Sequence, residues 1–293
     1  MSLSHPIGYN RRMKNLYFGE IIDYYKYGLL RYLSRDTDIK TSVCWMLTKP
    51  DDKAHGIDVG FLLDKGKYRI YDPELFDFLC SVVPVESKKQ IKKEKDKIKR
   101  LEKIEKLIET CNVDIIEKSI MLKNTNFNSR DLDYSDGDWF YLEGRNRIAS
   151  GRYFQQFTDI SKNRDLVFFD PDNGLEADSM DDYSKYLFFD EIPKYYQNSS
   201  LLIFQYSKFD LLKEGFTQSI NSLYNHRPDL YGHIMKKLSK LKQTCEKLYL
   251  FKTHNVLFIL MTKPPHNGIL DARAQEFKES DWHKNELIVM EVF

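Results

Sequence analysis

Apolar residues recur at helical spacing between residues 19 and 34. Ile21, Ile22, Tyr25, Leu29, Leu30 and Leu33 fall together, while Glu20, Asp23 and Lys26 lie largely elsewhere, which predicts an amphipathic helix. The pattern then changes to a strand-like run over 41–47 that stops at Lys49-Pro50-Asp51-Asp52, and 57–71 reads as two short extended pieces. Asp72-Pro73-Glu74 predicts a helix start, because Asp caps and Pro occupies a first-turn position where its missing N–H costs nothing. From 86 to 109, ten Lys and Arg and six Asp and Glu surround a narrow stripe of Ile91, Ile98, Leu101, Ile104 and Ile108, without Gly or Pro. This predicts one long, lysine-rich exposed helix, a protruding arm over 86–110 on a single α/β domain spanning 1–293.

The second half alternates more cleanly. Leu166-Val-Phe-Phe169 and Leu201-Leu-Ile-Phe-Gln205 are apolar runs of the kind buried on both faces of a parallel sheet. A short helix is expected at 191–198 and longer ones near 213–225 and 229–246, the last with Ile234, Leu238, Leu241, Cys245 and Leu248 on its apolar face. Runs at 247–251 and 256–260 flank Thr253-His254-Asn255 and predict a hairpin, and 286–293 predicts a closing strand. Together these elements predict a Rossmann-like α/β fold, with a mainly parallel sheet and an antiparallel edge hairpin.

Composition narrows the function classes. The chain of 293 residues is long enough for a full core, and 42% apolar with 30% charged residues argues against disorder or a rod. No apolar run reaches 18 residues, so no membrane-spanning helix is expected. The start, Met1-Ser-Leu-Ser-His-Pro-Ile-Gly8, lacks the basic-then-apolar order of a signal peptide, and a cytoplasmic location is expected. A net charge of +1 excludes nucleic-acid binding by bulk electrostatics and leaves local basic patches as the route to such a partner. One such patch interleaves Trp139, Phe140, Tyr141, Tyr153, Phe154 and Phe157 with Arg145, Arg147 and Arg152. The four cysteines form no C-x-x-C pair and point to buried, reduced thiols.

Candidate chemistry concentrates where the strand at 166–169 ends, in Asp170-Pro171-Asp172-Asn173-Gly174-Leu175-Glu176. Ligands of open parallel sheets bind beyond the carboxyl ends of the strands. Carboxylates on a buried strand end are costly unless something binds them. Asp170 is a candidate base, or an acceptor for a substrate amine. Asp170, Asp172 and Glu176 are instead the oxygen ligands a divalent metal would use. The plainer reading is a turn built by Pro171 and Asn173-Gly174, with Asp172 in an Asx-turn. Asp51, Asp52 and His55 follow the strand at 41–47 and would join the same cleft. Tyr206, just past 201–205, can stack on a ligand, whereas His254 reads as a surface turn residue.

The order strand, Asp170-Pro171, turn, helix, strand, helix and closing hairpin resembles that of S-adenosylmethionine-dependent methyltransferases, whose fourth strand ends in Asp/Asn-Pro-Pro-aromatic. Gly19-Glu-Ile-Ile-Asp23-Tyr-Tyr-Lys26-Tyr-Gly28-Leu-Leu30 is similar to the opening helix of the ribosomal-RNA adenine-N6 methyltransferases of the RlmJ kind, which begins Ala-Asp-x-x-Lys-His. The resemblance implies a methyltransferase-type sheet, S-adenosylmethionine as cofactor and a nucleic-acid amine as substrate. It makes Asp170, Pro171, Asp172 and Asn173 the amine-binding stretch and Lys26 an orienting residue. Asp23, Asp51, His55 and Tyr206 are then expected on the cofactor side.

The chain departs from that pattern twice. The family has a Gly-rich turn after the first strand, and here no glycine follows 41–47 until Gly56. Asp172 and Asn173 also stand where the second Pro and the base-stacking aromatic belong. Asp23 and Lys26 have a plainer reading too, as an exposed and locally paired helix face. Two rivals follow. One is a metal-dependent hydrolase or nuclease using Mg²⁺ on Asp170, Asp172 and Glu176 with Asp51 or Asp52. The other is a non-catalytic binding module whose lysine-rich helix engages a partner.

Overall fold

The computed structural model describes residues 17–47, 59–128, 140–142, 146–148, 157–180, 185–212, 218–245, 247–265, 267–285 and 287–293. The helices are α1 (Ile21–Ser34), α2 (Pro73–Val82), α3 (Val85–Lys93), α4 (Lys97–Thr110), α5 (Ile192–Tyr196), α6 (Ile220–His226), α7 (Pro228–Leu241) and α8 (Asn267–Glu276), with shorter helical turns between them. The strands are β1 (Thr41–Cys44), β2 (Thr125–Asn128), β3 (Phe140–Leu142), β4 (Asn146–Ile148), β5 (Leu166–Phe169), β6 (Gly174–Leu175), β7 (Tyr186–Leu187), β8 (Ser200–Tyr206), β9 (Leu248–Lys252), β10 (Val256–Met261) and β11 (Val289–Val292).

Seven strands form one mixed sheet in the order β11-β9-β10-β8-β5-β1-β2. β2, β1, β5 and β8 pair in parallel, while β8–β10, β10–β9 and β9–β11 are antiparallel. The expected α/β class with a largely co-directional sheet is therefore present. The hairpin forms as expected, but it does not make the edge. β10 is Val-Leu-Phe-Ile-Leu-Met and buried throughout, so it inserts between β8 and β9. β11, with Glu291 and Val292 only partly covered, takes the edge instead.

Side chains alternate between two cores, one on each face of the sheet. Val43, Leu166, Phe168, Leu202 and Phe204 face α1 through α4, α8 and Trp282, whereas Cys44, Val167, Phe169, Leu201 and Ile203 face α5, α6 and α7. No helix among the described residues is long and apolar enough to cross a membrane.

Three local expectations change. The segment after Val59 is helical, not extended: Gly60–Leu63 makes a 3-10 turn, and the Asp64 carboxylate caps the next turn by accepting from Lys67 N. The lysine-rich stretch is two helices, because Asp96 caps a new helix by accepting from Lys99 N at 3.0 Å. A Lys103–Glu94 ion pair at 2.6 Å crosses the break. Ile91, Ile104 and Leu107 join the core, so this pair packs against the body where a protruding arm was expected. Cys44, Cys111 and Cys245 are buried free thiols, but Cys80 is exposed.

Candidate functional site

The strand order reverses between β1 and β5. The chain leaves β1 toward β2 on one side and leaves β5 toward β8 on the other. Carboxyl ends that flank such a switch point open a crevice, and this is where open α/β sheets hold ligands. Asp170 is the first residue beyond β5 and sits at that crevice, its N–H bonded to Cys44 O of β1 at 3.0 Å.

Asp170 meets the opening helix there. Lys26 Nζ donates to Asp170 Oδ2 at 3.0 Å and to Asp23 Oδ1 at 3.2 Å, and lies 5.0 Å from the centre of the Phe204 ring. The plainer expectation of an exposed helix face for Asp23 and Lys26 does not hold: they are 5% and 8% exposed, and Asp170 is 3% exposed. Residues 23–30 of α1 are all buried, since α2, α3 and Trp282 cover the helix from the side away from the sheet. The burial of three charged groups is tolerable because they pair with one another.

The local backbone explains how Asp23 is aimed. Gly19 has φ +85°, a left-handed value, and a Cβ there would run into the Val83 side chain. This turn brings Gly19 N to 3.0 Å from Asp23 Oδ2. Lys88, fully buried on α3, fixes the same turn by donating to Phe18 O at 2.7 Å. A continuous run of polar contacts thus leads from Lys88 through the Phe18–Gly19 peptide to Asp23, Lys26 and Asp170.

The electrostatics follow from burial and charge. Burial pulls the Lys26 ammonium down, but the Asp170 and Asp23 carboxylates outweigh it and hold its pKa above the ordinary lysine value. Burial pushes the Asp23 carboxyl up, with Asp170 adding to this, against the opposing pull of Lys26 and the Gly19 N–H. The neighbouring Tyr27 phenol is raised well above its usual value by burial and by the Asp23 and Asp170 charges. Burial lowers Lys88, with Cys111, Glu20 and Asp23 opposing.

The turn after Asp170 is held from beneath. Pro171 is buried, and Asp172 and Asn173 are partly exposed. Gly174 has φ +89°, and a Cβ on it would lie 2.6 Å from the Gln205 amide. That closeness lets Gln205 Oε1 accept from Leu175 N at 2.9 Å while Gln205 Nε2 donates to Asn173 O at 3.3 Å and Tyr206 O at 2.6 Å. Lys237 of α7 completes the support, donating to Leu175 O at 2.6 Å and Gln205 Oε1 at 3.1 Å. Its pKa is lowered to about 8 by burial, against the pull of Glu176 and Asp178.

The structure therefore unites Asp23, Lys26 and Asp170. Pro171, Asp172 and Asn173 follow in the adjoining turn. Tyr206 ends β8, beside β5, with its side chain 42% exposed. Asp51, Asp52 and His55 lie outside the described residues. Glu176 turns away to accept from Phe189 N at 3.1 Å and to pair with Lys240 at 3.5 Å. Among the described residues no three His, Cys, Asp or Glu side chains are grouped to hold a metal ion, so Asp170, Asp172 and Glu176 do not form one. His254 pairs with Asp210 at 3.0 Å on the surface. Of the arginine–aromatic stretch, most side chains lie outside the described residues. Phe157 is core, packed 5.4 Å from the rings of both Phe169 and Tyr195.

Gln205, Lys237 and Lys88 escape the sequence reading, although their positions carry a signal. Lys237 falls in phase with Ile234, Leu238 and Leu241, and Lys88 lies three residues before Ile91 on the same stripe. A lysine in phase with an apolar seam is a candidate buried amine. Comparison of the chain with protein-family models, with curated proteins and with solved structures finds no match.

Proposed function

We propose that the chain is an S-adenosylmethionine-dependent methyltransferase acting on a nucleic-acid amine, with its site at the carboxyl ends of β1 and β5. One observation carries this reading. The two short motifs behind the resemblance, Asp23 with Lys26 and Asp170 with Pro171, are 144 residues apart between Lys26 and Asp170 and meet at 3.0 Å. The seven-stranded sheet with an antiparallel hairpin beside the parallel strands adds support.

The charge of the cluster suits such a cofactor. Two carboxylates and one ammonium leave one negative charge over at the strand ends, which favours a sulfonium cation over an anionic ligand. When bound, the cofactor supplies an electrophilic methyl group. Asp170 accepts a hydrogen bond from the substrate amine and so aims the nitrogen lone pair. Lys26 fixes the Asp170 carboxylate and offsets the cost of burying it. Gln205 and Lys237 hold the following turn rigid. Tyr206, exposed at the end of the adjacent strand, supplies the stacking face that Asp172 and Asn173 lack.

The test is a melting titration of the whole chain with S-adenosylmethionine. Saturation at 100 times Kd stabilises by about 2.7 kcal/mol, and each kcal/mol moves the midpoint by roughly 2–4 °C in a domain of this size. Tritium transfer from the methyl-labelled cofactor to RNA should accompany the shift, and both should disappear in Asp170→Ala. No shift at millimolar cofactor removes the reading.

A second reading is a non-catalytic protein of the same architecture. It is favoured by the pairing of Asp23, Lys26 and Asp170 with one another and by their near-closure to solvent. It expects no cofactor shift and no methyl transfer from a fully folded chain.

A further inference from the structure

The amino-terminal ends of β5 and β8, on the far side of the sheet from Asp170, border a cavity of about 580 Å³. It lies between the turn that precedes β5 and the end of α5. Lys162, Arg164 and Lys194 line it. Among the described residues, none of these three cations makes an ion pair. Arg164 Nε is buried and has no hydrogen-bond partner there. Asp165, the carboxylate in the lining, accepts from Lys40 N at 2.7 Å.

Cations at such a place commonly satisfy carbonyls at helix ends. Here those carbonyls have other donors. Ser161 Oγ donates to Thr158 O at 3.1 Å, Ser199 Oγ donates to Arg164 O at 2.7 Å, and Ser199 N and Asn198 N both donate to Tyr195 O. The smaller cavity beside α1, about 380 Å³, shows the contrast. Its Arg31 is tied to Asp72 at 2.7 Å and Glu74 at 2.6 Å, so its charge is already matched. Three cations against the single Asp165 carboxylate leave this polar cavity with two positive charges over, which a bound anion would offset.

We propose that this cavity is a phosphate-binding site, receiving a phosphate group of a nucleotide-like compound or of a nucleic-acid backbone. Three cations lining the cavity from two segments match the several acceptor oxygens of a phosphate better than the two of a carboxylate. Arginine supplies the directional fork and the lysines supply point charge. The side-chain amides of Asn163 and Asn198, also in the lining, add neutral donors. Arg164 and Asp170 are six residues apart along an extended strand, roughly 20 Å at about 3.3 Å per residue. The phosphate site is therefore separate from the Asp170 crevice and stands or falls independently of it.

The test is calorimetric titration of the full chain with two probes, inorganic pyrophosphate and a twelve-residue oligothymidylate. Saturable binding of at least one is expected, weakened about tenfold or more in Arg164→Met and several-fold in Lys194→Gln, since charge-assisted bonds are the strong ones. Tighter binding of the oligonucleotide, falling steeply with salt, assigns the phosphate to a nucleic-acid backbone. Tighter binding of pyrophosphate assigns it to a small phosphorylated compound. Lys194 is exposed and its replacement leaves the core untouched, so it decides the matter if Arg164→Met does not fold. The proposal is overturned if neither probe binds saturably, or if both variants that fold bind as the wild type does.

Discussion

Lys26 and Lys237 are equally hidden, each 8% exposed, and each supports one side of the same strand-end turn. Lys26 faces two carboxylates and is held above the ordinary lysine pKa. Lys237 donates to a peptide carbonyl and a side-chain amide, both neutral, and burial lowers it to about 8. Equal desolvation thus has opposite outcomes, decided by whether the acceptors carry charge. At the Asp170 end, a buried ion cluster favours the charged form of Lys26, while burial pushes the Asp23 carboxyl up. At the Lys237 end, the same cation is a liability that the fold tolerates for its two hydrogen bonds.

The comparison breaks most severely when one member of the ion cluster is removed. Lys26→Met leaves Asp23 and Asp170 facing each other without a cation, and Asp170→Ala leaves Lys26 with a single carboxylate. Lys26→Met should lower stability by about 3–5 kcal/mol, because an uncompensated buried charge costs more than the pair contributes. Asp170→Ala should cost less, because Lys26 keeps its pairing with Asp23. Urea unfolding of both single variants and of Lys26→Met/Asp170→Ala measures this. The double variant should lose less than the sum of the singles. Strict additivity would mean that the 3.0 Å contact carries no coupling.

The Lys237 side is tested by pH. Its folded pKa lies below the unfolded value of 10.5, so between about 8 and 10.5 the unfolded chain binds more protons than the folded one. Stability from this group therefore rises with pH through that window, by on the order of 3 kcal/mol in full. The raised tyrosines act in the opposite sense from about pH 10 upward, since their folded forms keep protons that the unfolded chain releases. The useful quantity is the difference between wild type and Lys237→Met from pH 7.5 to 9.5. The wild type should gain on the variant as pH rises. A flat difference would place the Lys237 pKa near its ordinary value.

Gly174→Ala sharpens the comparison with a smaller effect. Its φ of +89° is strained for any residue with a Cβ, and the added carbon would meet the Gln205 amide at 2.6 Å. A loss of about 1–3 kcal/mol is expected, with Gln205 displaced from Leu175 N and Asn173 O. The Lys237 pH dependence should extend to lower pH along with it, because the amide oxygen that helps keep the ammonium charged is withdrawn. If stability falls while the pH dependence stays, Leu175 O alone holds Lys237.

Much of this architecture is legible in the sequence, and the parts that are not share a cause. β5, β8 and the β9–β10 hairpin declare themselves as short, largely apolar runs, because burial on both faces leaves no room for polar alternation. Asp170 is visible because an acidic residue closes such a run. Lys26 and Asp23 mislead, since a local pattern of charges on a helix does not reveal that other helices cover that face. The break at Asp96 is likewise hidden among charged residues that also suit a continuous helix. The partners of Gln205 and Lys237 are hidden for a further reason. Each side chain matters through a backbone carbonyl or N–H some thirty to sixty residues away, and no side-chain pattern records that pairing.

The smallest expected effect on stability belongs to Tyr206, which ends β8 with its ring 42% exposed. Its backbone carbonyl receives Gln205 Nε2, so the main chain at this position is part of the turn support whatever side chain it carries. Tyr206→Ser should therefore change stability by no more than about 0.5 kcal/mol, as surface substitutions usually do. If the ring supplies the missing stacking face beside Asp170, affinity for a single-stranded oligonucleotide should still fall by about 1–3 kcal/mol, since base–aromatic stacking is worth that much. Fluorescence anisotropy of a labelled adenine-containing oligonucleotide against both proteins separates the two effects. An unchanged affinity would assign the ring to solvent and leave the Asp170 crevice without an aromatic partner among the described residues. A selective loss of affinity at constant stability would place a base over β8, within reach of the carboxylate that Lys26 holds in place.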